Sequence, residues 1–171
     1  MRKIERIIDG ICNISGQFGA WLVPTMMALV LVEVVSRYVA HQPLLIADEF
    51  SAYMFVALSF LGLAYAWKEK AHVRIDALID RLPPRVSQRV RVFSLLIALA
   101  FCLMINVESY GFIKTSFARH IRSMSWLSTP LQGPHLTITI GFAILTLWLM
   151  LETARAIKAL NSNSEVESKA R

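Results

Sequence analysis

The chain has 171 residues, of which 56% are hydrophobic, and a mean hydropathy of +0.52; soluble domains run to roughly 45–50% apolar. The excess is gathered into four runs, Phe18–Val39, Phe50–Trp67, Val92–Val107 and Leu136–Leu151, and the connections between them are too short for a soluble domain with a core of its own. The net charge of +6 does not point to nucleic acid, because most Lys and Arg residues flank the apolar runs, where they set membrane orientation.

Met1–Gln17 carries Arg2, Lys3, Glu5, Arg6 and Asp9 ahead of the first apolar run, and no small-residue cleavage site follows a short apolar stretch, so this end does not read as a signal peptide. Ile4, Ile7, Ile8, Ile11 and Ile14 form a stripe at helical spacing, an amphipathic lead-in. With neutral flanks, each run approaches the roughly 20 residues that cross a hydrocarbon core of about 30 Å. Spans are predicted at about 16–40, 48–68, 90–112 and 134–155.

The first span contains Glu33, with Arg37 one helical turn later. A carboxylate at the bilayer centre costs about 2.5–3.5 kcal/mol on the insertion scale, so it needs a reason to stay. The i, i+4 spacing puts both side chains on one helix face in the favourable order. The pair reads as self-neutralised and packed against another helix; a proton- or ion-coupling carboxylate is the sharper alternative. Gln42-Pro43 breaks the helix, making spans one and two a hairpin. Asp48 and Glu49 open span two, where acids favour a helix N-terminus. Gly62 within span two permits close helix approach, either inside this chain or against a partner.

The second connection carries Lys68, Lys70, Arg74, Arg81, Arg85, Arg89 and Arg91. Together with the basic residues of the two chain ends these outweigh Arg37, Lys114, Arg119 and Arg122, so the positive-inside rule puts both termini in the cytoplasm. Val73, Ile75, Leu78, Ile79 and Leu82, interleaved with charges, predict a short helix in the membrane plane over about 72–82, ended by Pro83-Pro84. Asn106 and Glu108, near the outer end of span three, are expected at a depth similar to Glu33–Arg37. The outward connection from Lys114 to Pro134 is expected to be irregular. The polar stretch 161–171 is expected to be a disordered tail after a single domain covering 1–160.

Cys12 and Cys102 lie at different depths and read as small apolar fillers rather than a disulfide. His41, His72, His120 and His135 all sit near predicted span ends, without metal-ligand spacing, and none is placed to hold a haem. Trp21, Trp67 and Trp126 fit an interfacial belt, and Trp148 is expected to pack. No Walker loop, nucleophile elbow or paired catalytic carboxylates are present. Neither an enzyme activity nor a cofactor is predicted.

Ser36-Arg37-Tyr38-Val39, Asp48-Glu49, Phe60-Leu61-Gly62, His72-Val73-Arg74-Ile75-Asp76 and Arg81-Leu82-Pro83 follow one another in an order and spacing that resembles the small membrane subunit of TRAP (tripartite ATP-independent periplasmic) transporters. The match covers about Val35–Pro84, and Ser128-Thr129-Pro130, Pro134 and Gly141 are similar to the family's second half. Ile46, Lys70 and Ala57 depart from residues common in the family. The resemblance implies an all-α, four-span protein of a bacterial or archaeal inner membrane. Its implied role is to serve as scaffold for a large membrane transport subunit in sodium-driven uptake of organic acids delivered by a periplasmic substrate-binding protein, with membrane lipid as a further partner.

By that analogy the structural and interface candidates are Glu33, Arg37, Glu49, Gly62, His72 and Asp76. Arg37 and Glu49 are expected to pair across the outer hairpin, and His72 and Asp76 to brace the in-plane helix. Arg119, Arg122, Trp126 and Pro130 are candidates for docking the binding protein. The alternative is a self-sufficient four-helix proton-coupled exporter using Glu33.

Overall fold

A computed structural model describes residues 2–42, 46–69, 83–125 and 127–169. The region forms four helices, α1 (Arg2–Val39), α2 (Ile46–Lys68), α3 (Pro84–Ala118) and α4 (Gln132–Lys169). All four are long and apolar enough to cross a membrane. The predicted in-plane helix over 72–82, with His72 and Asp76, lies outside the described residues, as does Trp126.

Helix ends follow local chemistry. Pro84 starts α3, where its missing N–H is no loss. At the other end of α3, His120 takes a left-handed conformation (φ 45°). Ile121 N–H then bonds the Ser116 carbonyl at 3.2 Å, the reverse turn that satisfies late carbonyls of a helix. His41, with φ 53°, occupies a similar position just beyond α1. Two of the four histidines thus serve turn geometry.

The amphipathic lead-in and the first span are one continuous helix of 38 residues, running through Pro24. The polar stretch expected to be disordered is helical to Lys169: once a helix is nucleated, each added residue contributes a further backbone bond, and no Gly or Pro interrupts 161–169.

The helices pack as a row rather than a closed square. α1 lies on α2, α2 on α4 and α4 on α3, with a lesser contact between α1 and α4. Small residues let the backbones close up. Cys12, Ser15 and Gly19 are buried, and they share one face of α1 with Gly16. A Cβ on Gly16 would lie 2.5–2.9 Å from Tyr65. Gly141 of α4 sits directly against the backbone carbonyl of Phe60 in α2. The buried core joins Cys12, Ala64, Leu95, Cys102, Leu145, Trp148 and Leu149. Both cysteines are free and buried, and Trp148 packs as expected.

Gly62, by contrast, has open space where a side chain would go, so it is not a close-approach point within this chain. Gly62→Ala is therefore expected to leave the melting temperature of the isolated chain unchanged or slightly raised, since Ala favours helix by about 0.5–1 kcal/mol. Thermal unfolding in detergent checks this.

Candidate functional site

The polar side chains collect at the two ends of the row. At the end holding the chain termini, Lys68 Nζ reaches Asp9 Oδ1 at 3.1 Å and Asn13 Oδ1 at 2.6 Å, tying α2 to α1. Arg155 Nε donates to Glu5 Oε1 at 3.2 Å, tying α4 to α1. Glu152 accepts from Trp67 Nε1 at 2.8 Å and from Arg91 Nη2 at 3.2 Å, joining α4 to α2 and α3. These ties cross-link every helix.

The opposite end is organised by Glu49, in the first turn of α2. Its side chain accepts from Tyr53 Oη, one turn along α2, from Ser125 Oγ at 2.6 Å and from Thr129 Oγ1. Tyr53 Oη and Thr129 Oγ1 also lie 2.7 Å apart, so their two hydroxyl protons are shared among three contacts. The α3–α4 connection, expected to be irregular, is folded on this anchor. Ser123 N–H bonds the Thr129 carbonyl at 2.9 Å, Leu131 N–H bonds the Ile121 carbonyl at 3.2 Å, and Arg122 bridges Pro130. Arg119, Arg122 and Met124 are left exposed on it. Nearby, His135 Nδ1 lies 3.0 Å from the buried Ser116 Oγ, linking α4 to α3.

Between Glu49 and Lys68, α2 rises roughly 28 Å at about 1.5 Å per residue, close to the ~30 Å of a hydrocarbon core. The two polar layers are therefore spaced as two membrane interfaces.

Arg37 is paired with Glu33, through Nη2 at 2.7 Å and Nε at 3.2 Å to the same oxygen, Oε1. The expected Arg37–Glu49 pair across the hairpin is not formed. An i, i+4 partner costs less chain ordering than one across a loop, and hydroxyls surround Glu49 instead. Glu33 is buried (5% exposed) and its Oε2 has no hydrogen-bond partner. Arg37→Ala would leave this buried carboxylate without its cation. We expect a lower melting temperature in R37A than in the double variant E33Q/R37A, because removing one partner of a buried pair costs more than removing both charges.

Asn106 and Glu108 do not join this pair. Asn106 Nδ2 donates to Thr146 Oγ1 at 2.7 Å and to the Phe142 carbonyl at 3.3 Å, facing α4, and Glu108 is exposed on α3. Helix α3 is at the far edge of the row from α1, so equal depth did not mean contact. Among the described residues no three His, Cys, Asp or Glu side chains gather as a metal site.

Reasoning from sequence did not place Tyr53, Ser125 or Thr129 beside Glu49. Tyr53 follows Glu49 at i+4, a legible signal; the two hydroxyl residues lie far along the chain. The small-residue face at positions 12, 15, 16 and 19 was also legible as i, i+3, i+4, i+7 spacing.

Residues 26–159 match the family model for the DctQ component of tripartite ATP-independent periplasmic transporters. A TRAP transporter small permease protein of Haemophilus influenzae is 33% identical over 85 residues, covering 50% of this chain and 53% of that protein. The sialic acid TRAP transporter permease protein SiaT of Haemophilus influenzae is 28% identical over 100 residues, 58% of this chain and 16% of that protein. The C4-dicarboxylate TRAP transporter small permease protein DctQ of Vibrio cholerae is 25% identical over 93 residues, 54% of this chain and 40% of that protein. The chain thus spans about half the length, or less, of these relatives. With four membrane-length helices and a family match over most of its length, the chain is a multi-pass inner-membrane protein that belongs to the DctQ component family of TRAP transporters.

Proposed function

We propose that this chain is the small membrane subunit of a sodium-driven, binding-protein-dependent organic-acid uptake system, and that it acts there as scaffold for a large transport subunit. The observation that carries the reading is the family match over 26–159 on a row of helices whose buried charged side chains, among the described residues, lie near the ends of the spans. A substrate carboxylate and a coupling ion would need polar groups and interrupted helices near the bilayer midplane, and α1 to α4 are each continuous. The sites for both would then belong to the large subunit. Apolar side chains are exposed along α1 and α3, which suits lateral packing against a second membrane protein.

In this reading both termini are cytoplasmic, as the basic residues favour. The Glu49-anchored connection then faces the periplasm, where Arg119, Arg122 and Pro130 are exposed and available to the binding protein. Glu33 is held by Arg37 and serves helix packing rather than proton coupling.

The test is organic-acid uptake into proteoliposomes under an inward sodium gradient. The chain is reconstituted alone and with the membrane subunit that co-purifies from native membranes, each with and without the soluble binding protein. Uptake only in the full assembly is expected. Uptake or proton-coupled export by this chain alone would overturn the scaffold role and return Glu33 to a coupling role.

A further inference from the structure

A cleft of about 540 Å³ opens at the terminus-bearing end, between the end of α2, the start of α3 and the later part of α4. It falls in the size range of small-ligand sites. Lys68, Arg91 and Arg155 line it against one carboxylate, Glu152. That carboxylate is already engaged on both oxygens, by Trp67 Nε1 on Oε2 and Arg91 Nη2 on Oε1. Lys68 is committed to Asp9 and Asn13.

The two arginines retain capacity. A guanidinium has five N–H donors. Arg91 uses Nη2 on Glu152, and Arg155 uses Nε on Glu5. Their side chains are 54% and 49% exposed, so donors beyond these ion pairs are accessible to a ligand. The Arg155 guanidinium lies over the Trp148 ring, 5.9 Å from its centroid, a cation–π contact. Beneath the charges, Val92 and Ala156 supply an apolar wall.

We propose that this cleft binds the phosphodiester of an anionic phospholipid headgroup, with Arg91 and Arg155 as its donors. Each cation already has one carboxylate partner, so the selection rests on the N–H donors that Arg91 and Arg155 keep after their ion pairs with Glu152 and Glu5, whose planar forks match phosphate oxygens. The depth selects a lipid over a soluble anion. The cleft lies at the end of membrane-spanning helices, about one hydrocarbon thickness from the Glu49 layer, with Trp67 at the level where interfacial aromatics sit. Basic pockets between spans recognise headgroups in this way. The inference uses the membrane-spanning fold and does not depend on which solute the transporter carries.

Native mass spectrometry of the full chain, purified and delipidated in mild detergent, tests it with added phosphatidylglycerol, phosphatidylcholine or inorganic phosphate. Retention of one phosphatidylglycerol, about ten-fold more tightly than phosphatidylcholine, is expected. A loss of about ten-fold is expected in R91Q/R155Q, as befits removal of charge-assisted bonds. Variant R91K/R155K should lose less, and K158Q, outside the cleft lining, should match the unsubstituted chain. Equal retention of the two lipids would overturn the proposal, and so would full retention by folded R91Q/R155Q. Displacement of the lipid by millimolar inorganic phosphate would also overturn it, leaving a site for the free anion only. Should R91Q/R155Q fail to fold, the comparison of lipids on the unsubstituted chain decides.

Discussion

Replacing Glu49 with alanine is expected to release the α3–α4 connection from α2 and to lower the melting temperature by several degrees. Three hydroxyl donors, on Tyr53, Ser125 and Thr129, converge on this one carboxylate. Hydrogen bonds to an ionised acceptor are roughly twice as strong as neutral ones. Alanine removes the acceptor for all three at once, and Tyr53 and Thr129 keep only each other. E49Q, which loses the charge and keeps one carbonyl oxygen, should fall between alanine and the unsubstituted chain. Y53F, which removes a single donor, should cost less than E49A. Trypsin cleavage after Arg119 and Arg122 should accelerate in E49A, because both are already exposed and only the fold of the connection protects them. Unchanged melting and unchanged cleavage in E49A would refute the anchor. If the connection also receives the binding protein, E49A should raise the concentration of binding protein needed for half-maximal uptake.

A side chain at position 141 is expected to have the larger effect on the core. The Cβ of Gly141→Ala would meet the carbonyl oxygen and carbon of Phe60, which are backbone atoms with no rotamer to change. Helices α2 and α4 would have to separate, and Ala64 of α2 shares the buried core with Leu145 and Leu149 of α4. Overpacking of this kind costs about 1–3 kcal/mol, and Gly141→Leu should exceed Gly141→Ala. The control is Gly62→Ala, made two residues along α2 from Phe60 but into open space. Thermal unfolding in one detergent should therefore separate the two glycines, with G141A falling and G62A level or rising. A G141A protein that melts like the unsubstituted chain would show that the helices do not approach as closely as the structure places them.

The two glycines show where reading the sequence stops. Gly62 stands out in the sequence because it interrupts an apolar span, and the same reasoning applies equally to Gly141. Which of them touches another helix depends on the crossing point of α2 and α4. The Glu33–Arg37 pair is the opposite case. Both partners lie on one helix at i, i+4, so regular geometry alone brings them together. Glu49 combines the two. Tyr53 is a local partner at i+4, whereas Ser125 and Thr129 arrive from a connection |i−j| = 76 and 80 residues away.

The sequence by itself determined the four spans, because crossing a bilayer requires a length of apolar chain that is visible residue by residue. Asp48-Glu49 and Pro84 were legible as helix-start signals, although the helices open at Ile46 and Pro84 rather than near 48 and 90, and the family to which the chain belongs was legible too. Only the tertiary structure decided the order of the row, the side of α3 that meets α4, and the fold of the 119–131 connection. The physical reason is the solvent. In water a buried helix face differs from an exposed one in polarity, and periodicity reveals it. In a membrane, lipid tails are as apolar as the packed side chains, so association is set by small residues, close van der Waals contact and a few hydrogen bonds. Those depend on which helices meet, and no single helix records it.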